Sequence, residues 1–280
     1  MAKRQNNASE DTQMNEIMKA PDMDFINIDF EFFDPQPIDF HAFKNLLKQL
    51  LGYDHTNVNI SALSDLILSQ PLLGSTVKID GNNSDPYAML SVINLNSRRE
   101  EPVIKELTSY VLSRIAASNP NMEKQVRELL SPDSNAQIGL IINERLINMP
   151  VQVIPPMYNM LLEEMQWAID ANEPYNFTHY LLLSRSYVEV ASKLDDEDER
   201  PKKKGKKAGE QELCYFHPED EQFRQAGLAV ADYSFANQDF NPDMNRVFQD
   251  AGIKPQGESI LLTHDAFKSL VPQLLDVYNA

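Results

Sequence analysis

Cysteine, glycine and positive charge are all scarce in this sequence. One cysteine, Cys214, in 280 residues excludes a disulfide within the chain and suits a reducing compartment. Nine glycines are about half the usage expected from an average of ~7%. Loops that cradle nucleotide phosphates need glycine so that the backbone can approach closely; neither the G-x-G-x-x-G nor the G-x-x-x-x-G-K-S/T pattern occurs. Only 25 lysines and arginines face 42 aspartates and glutamates, a formal charge of −17. Such a chain repels a phosphate backbone, which argues against direct nucleic-acid binding and for a basic protein partner. Long apolar runs are missing as well. None approaches the ~20 residues of a membrane helix, and the first twenty residues lack the apolar core of a signal peptide. These absences predict a soluble intracellular protein.

What remains is a globular composition, 42% hydrophobic and 24% charged. Residues 1–20 are polar without periodicity and predict a disordered tail. From Asp24 to Phe33 the text alternates, Ile26, Ile28, Phe30 and Phe32 against Asn27, Asp29 and Glu31, as in a half-exposed strand. Asp39 is placed to cap a helix carrying Phe43, Leu46, Leu47, Leu50 and Leu51, and Ser61 a second one with Leu63, Leu66 and Ile67. A hairpin of Val77–Ile79 and Met89–Leu95 follows, then a helix opening at Pro102 and another over Met122–Leu130. Ile138–Ile142 reads as an interior strand, Pro150 to Pro156 as a turn region and Met157–Ile169 as a helix. Tyr180–Val190 suits either state, with strand preferred. Beyond a charged stretch come strands at Leu213–Phe216, Leu228–Phe235 and Ile260–Leu262, and a closing helix kinked or restarted at Pro272. The expectation is one α/β domain over residues 21–280, a mixed sheet flanked by helices.

Residues 195–209 interrupt that domain. Five consecutive acids, Asp195 to Glu199, precede six basic residues between Arg200 and Lys207. Like-charge blocks cannot bury apolar area, so this is a flexible insert. Its Lys202, Lys203, Lys204, Lys206 and Lys207 match what a nuclear import receptor grips; a plain solvated charge run, or binding to RNA or anionic lipid, gives the same text. Acids are uneven elsewhere too. Asp22, Asp24, Asp29, Glu31, Asp34 and Asp39 occur with no base among residues 20–40, and residues 210–258 carry ten acids against three bases. A receptor surface for a basic protein and simple solubility both account for this.

Chemistry is hard to find. The five histidines are dispersed, HxxxH, CxxC and HExxH spacings are absent, and no cofactor or metal is expected. His217-Pro218-Glu219-Asp220 beside Cys214 suggests an acid/base group, although a proline-started helix with acidic first-turn residues is the simpler reading. Arg224 to Ala229 spells the R-x-x-G-x-A pyrophosphate loop of acetyl-CoA-dependent N-acetyltransferases. It precedes a strand, however, where that loop should follow one and open a helix.

Three blocks carry a family likeness: Asn27 to Pro35 running on through Asp39-Phe40-His41 and Lys44 to Leu51, then Ile141 to Tyr158 (IINERLINMPVQVIPPMY), then Tyr215 to Glu221. Together they resemble the BCCIP family, the BCP proteins of fungi, in family order over residues 22–280. The resemblance implies an N-acetyltransferase-like fold without a need for acetyl-CoA. It implies a non-enzymatic nuclear protein, shuttling with the cytoplasm, that escorts a basic large-subunit ribosomal protein of the universal L-fourteen family. It also implies contact with nuclear import and export receptors and a link to export of a phosphoinositide kinase. A divergent acyltransferase and a signalling or repair adaptor are the rival classes. Asp29, Glu31 and Asp34 on the acidic face are candidate client contacts. Asn143, Glu144 and Arg145 in the signature are candidates too, or else form a buried network.

Overall fold

A computed structural model describes residues 29–70, 73–190, 213–237, 248 and 250–278. The expected tail at 1–20, Asp22, Asp24, the first half of the opening strand and the insert at 195–209 with its lysines lie outside these residues.

Among the described residues eight strands form a single mixed sheet. They are β1 (Glu31–Phe33), β2 (Ser75–Lys78), β3 (Ala88–Asn94), β4 (Ile138–Arg145), β5 (His179–Glu189), β6 (Leu213–Tyr215), β7 (Ala229–Tyr233) and β8 (Ile253–Thr263). Their spatial order is β1-β2-β3-β4-β5-β8-β7, with β6 also paired to β5. Every pairing is antiparallel except β4 with β5.

The helices are α1 (Phe40–Leu51), α2 (Ile60–Leu68), α3 (Pro102–Ser118), α4 (Pro120–Leu129), α5 (Ile154–Asp170), α6 (Asp220–Ala226) and α7 (His264–Tyr278). They cover both faces, which explains why the central strands are apolar on both sides. On one face α1 to α4 bury Phe43, Leu47, Leu107 and Ile115 against Leu140, Ile142, Leu181 and Leu261. On the other α5, α6 and α7 bury Tyr158, Phe223 and Phe267 against Ile141, Leu182, Ile260 and Leu262. Successive residues of one strand thus serve alternate cores, as period-two geometry demands. Among the described residues no helix is long and apolar enough to cross a membrane.

Several local expectations need correction. Asp39 makes no capping bond to α1; its buried carboxylate instead pairs with Lys78 Nζ at 2.7 Å and accepts the Gln36 amide at 2.9 Å. The cap of α2 is Asn59, whose Oδ1 accepts from Ala62 N at 3.1 Å, and not Ser61. Pro155 and Pro156 are no turn: they sit in the first turn of α5, where no amide is needed. The last helix does not restart at Pro272 but runs through it as a single element.

The last strand begins at Ile253, seven residues before the expected Ile260. Its first half contains Pro255 and Gly257, residues that ordinarily argue against a strand. Among the described residues pairing with β7 starts only at Gly257, which leaves β8 without a second strand neighbour where the proline lies. A Cβ at Gly257 would stand 2.2 Å from the Tyr233 ring, so only glycine leaves room for that tyrosine. Gly74 is constrained more tightly still. It takes φ +102°, and a Cβ there would meet the Leu90 carbonyl at 2.5 Å.

Candidate functional site

Strands β4 and β5 run side by side only from Ile138 opposite His179 to Ile141 opposite Leu182. Farther along, β5 takes β6 as its neighbour, from Ser186 opposite Tyr215 to Val188 opposite Leu213. The turn from His217 into α6 enters where β4 and β5 part. The chain thus plugs its own opening in the sheet, and the plug is ionic.

Arg145, at the end of β4, forks onto Glu219: Nη1 donates to Oε1 and Nη2 to Oε2, the latter at 2.9 Å. Asn143 Nδ2 reaches the same carboxylate at 3.4 Å. Glu144, on the opposite side of the strand, accepts Arg185 Nε and Nη2, each at 3.1 Å, and Gln49 Nε2 at 2.9 Å. His217 Nε2 lies 2.9 Å from Glu144 Oε1, and its Nδ1 3.7 Å from Asp220. Ser184 donates to Asp220. Arg145, Glu144, His217, Glu219 and Asp220 are all buried, so each charge needs the others to offset its lost hydration.

Titration follows from that packing. Burial alone would raise Glu144, but the charges of Arg185 and His217 outweigh it and hold the carboxyl at about 2. Burial disfavours the His217 imidazolium, and Glu144 reverses this, so the histidine titrates above its ordinary value. Asp220 is raised, first by burial and then by neighbouring Glu219. Tyr158, beneath the cluster, is raised by burial and by the same two acids. Ligand atoms of His217, Glu219 and Asp220 lie within 4.8 Å of one another, close enough to share a metal ion. Each already has a partner in Glu144, Arg145 or Ser184, and the Arg145 guanidinium supplies the positive charge a metal would bring.

Asn143, Glu144 and Arg145 are 2%, 0% and 3% exposed. They form the buried network, and the expected client contact through these three is corrected accordingly: a partner's surface does not reach side chains enclosed on all sides. Asp29, Glu31 and Asp34 stand exposed at and beside β1, which among the described residues is the outermost strand at one end of the sheet. The simple reading of the His217 segment holds for the acidic first turn, Asp220 and Glu221, but Pro218 lies before the cap residue Glu219 and does not start the helix, which begins at Asp220. It also misses that His217, Glu219 and Asp220 are buried. Charged residues packed so densely beside an aromatic strand were the available signal.

The R-x-x-G-x-A text ends α6 instead of opening a helix. Arg224 Nη1 and Nη2 reach Asp232 at 2.6 and 2.8 Å, and Nη1 also donates to Glu258. Gly227 N donates to Arg224 O and Leu228 N to Leu261 O. A pyrophosphate finds there neither a spare guanidinium nor these two amides.

A family model described as BCCIP matches residues 25–223. This chain belongs to the BCCIP family. Protein bcp1 of Schizosaccharomyces pombe is 73% identical over the full length of both chains. Protein bcp1 of Aspergillus fumigatus is 52% identical, over 95% of this chain and 91% of its own. Among solved structures, BCP1 from Saccharomyces cerevisiae is similar with a TM-score of 0.62 at 27% identity, covering 96% of this chain and 93% of that one. The buried network therefore sits in the body of a BCCIP-family fold: Asn143 to Arg145, Arg185 and His217 to Asp220 all fall inside the matched stretch.

Proposed function

We propose that this BCCIP-family chain is a non-enzymatic escort, working in the nucleus and shuttling with the cytoplasm, for a basic large-subunit ribosomal protein of the universal L-fourteen family. One observation carries the reading. The arginines of the signature and of α6 are consumed by internal carboxylates, while Asp29, Glu31 and Asp34 at the end of the sheet point to solvent. The surface at that end of the sheet is therefore acidic. A ribosomal protein awaiting assembly exposes lysine and arginine surface meant for RNA, and an acidic partner covers it, steering capture and blocking premature RNA contact. Nuclear import through Lys202, Lys203, Lys204, Lys206 and Lys207, exit through an export receptor, and carriage of a phosphoinositide kinase on the same route belong to this proposal.

Affinity purification from nuclear extract tests it: a basic ribosomal protein should be the dominant stoichiometric partner. Stopped-flow association with that protein should slow steeply with salt and with neutralisation of Asp29 and Glu31. An on-rate indifferent to salt sinks the electrostatic mechanism. Replacing the five lysines with glutamine should move the protein out of the nucleus; unchanged nuclear accumulation removes the import role.

A further inference from the structure

The sole tryptophan of the chain, Trp167, is 61% exposed on α5. A single exposed apolar side chain is ordinary, but tryptophan is enriched at interfaces, and here it stands at a cleft. Beside it lies a cleft of about 210 Å³ between α5 and the end of β1, with Phe32, Phe33 and Trp167 on its walls and Asp34, Glu163 and Glu164 among its lining. Among the described residues no lysine or arginine lines it. Glu164 is turned inward, its Oε2 accepting the Gly74 amide at 2.7 Å, which leaves Asp34 and Glu163 as the exposed carboxylates.

Aromatic walls with carboxylates at the rim select one kind of group: a cation on an apolar stem. A lysine or arginine lays its methylenes on the rings, places its charge over the indole face and finds a carboxylate within reach. An anion is repelled, and a wholly apolar side chain leaves the carboxylates unpaired. The same cleft adjoins the end of the sheet. Among the described residues β1 pairs only with β2, so its outer edge offers backbone groups to an incoming strand. A strand added there would run past exposed Glu31 and Asp29, whose charge again favours a basic sequence.

We propose that this cleft and the edge of β1 together bind an extended, lysine- or arginine-rich segment of a partner protein, with one basic side chain seated over Trp167. The proposal rests on the escort reading and gives it an address. Because Trp167 is the only indole, its emission reports on the cleft alone. Titration with a ten-residue synthetic peptide carrying lysine at alternate positions should shift that emission saturably, and the glutamate counterpart should not. Anisotropy of the labelled lysine peptide should show affinity about tenfold weaker for Trp167→Ala and largely restored in Trp167→Phe. Asp34→Asn with Glu163→Gln should weaken binding and flatten its salt dependence; all these positions are exposed, and an unchanged urea midpoint checks that the variants fold.

A silent tryptophan, or affinity unmoved by Trp167→Ala, overturns the proposal. So does tighter peptide binding with a shifted emission when residues 200–207 are deleted, since the chain's own basic segment would then be the occupant. Undiminished capture of a basic ribosomal protein by Trp167→Ala refutes the cleft and spares the escort reading. Peptide binding at Trp167 with no basic protein co-purifying does the reverse.

Discussion

Replacing Arg145 with methionine tests the physical account of the plugged sheet. The change keeps an unbranched side chain of similar reach and removes only the guanidinium. Glu219 then stays fully buried, left with Asn143 Nδ2 at 3.4 Å and with Asp220 beside it. A unit pair about 4 Å apart at an effective dielectric of ~20 is worth about 4 kcal/mol, and breaking one side of a buried pair costs about 3–5 kcal/mol in measured cases. Against a total stability of roughly 5–15 kcal/mol this is a large fraction. With a urea slope of roughly 3 kcal/mol per molar, the midpoint should fall by about 1–1.7 M. Arg145→Met combined with Glu219→Met should recover most of the loss, as both charges leave together. A loss below about 1 kcal/mol would refute the network as described.

Other outcomes follow from the same geometry. Asp220 is pushed up to about 7 by burial and Glu219, so its folded form holds a proton that its unfolded form has lost; the resulting stability is complete below about pH 4 and disappears as pH rises through the raised value. Asp220→Asn should flatten that part of the stability profile, measured by urea unfolding at intervals from pH 4 to 8. Glu144 is held at about 2 and works in the opposite sense, its contribution present above its ordinary range and lost as acid is added, which circular dichroism between pH 5 and 2 will follow. Gly74→Ala should lower the melting temperature by several degrees, about 1–3 kcal/mol, since the clash is with the Leu90 backbone and no side chain can swing away. Calorimetry with acetyl-CoA should show no binding; micromolar affinity abolished by Gly227→Glu would restore the acyltransferase reading.

Much of the fold was legible because its cues are local. The helical spacing of Phe43, Leu46, Leu47, Leu50 and Leu51 names the buried face of α1, and the β-branched run at Ile138 marks a strand covered on both sides. Misreadings occur where the partner is remote. Asp39 looks like a cap until Lys78 claims its carboxylate. Residues 253–259 look unlike a strand because Pro255 and Gly257 answer to an edge and to the Tyr233 ring, neither visible nearby in the text. The network shows the same limit: Arg145 and Glu219 are 74 residues apart, and nothing in either segment states that they meet. Trp167 went unmarked because an aromatic on an amphipathic helix is ordinarily core, and only its exposure reveals otherwise.

The position of β8 also bears on how the chain is made. It is the last strand in sequence, yet it lies between β5 and β7 and pairs with β5 along eleven residues. During synthesis every earlier strand leaves the ribosome before the one that joins them. Until Ile253 to Thr263 emerge, a long, aliphatic β5 edge is unsatisfied and open to any passing strand. A message cut short before residue 253 would yield a product that is adhesive instead of merely incomplete, so the nascent chain itself needs its β5 edge covered until synthesis ends.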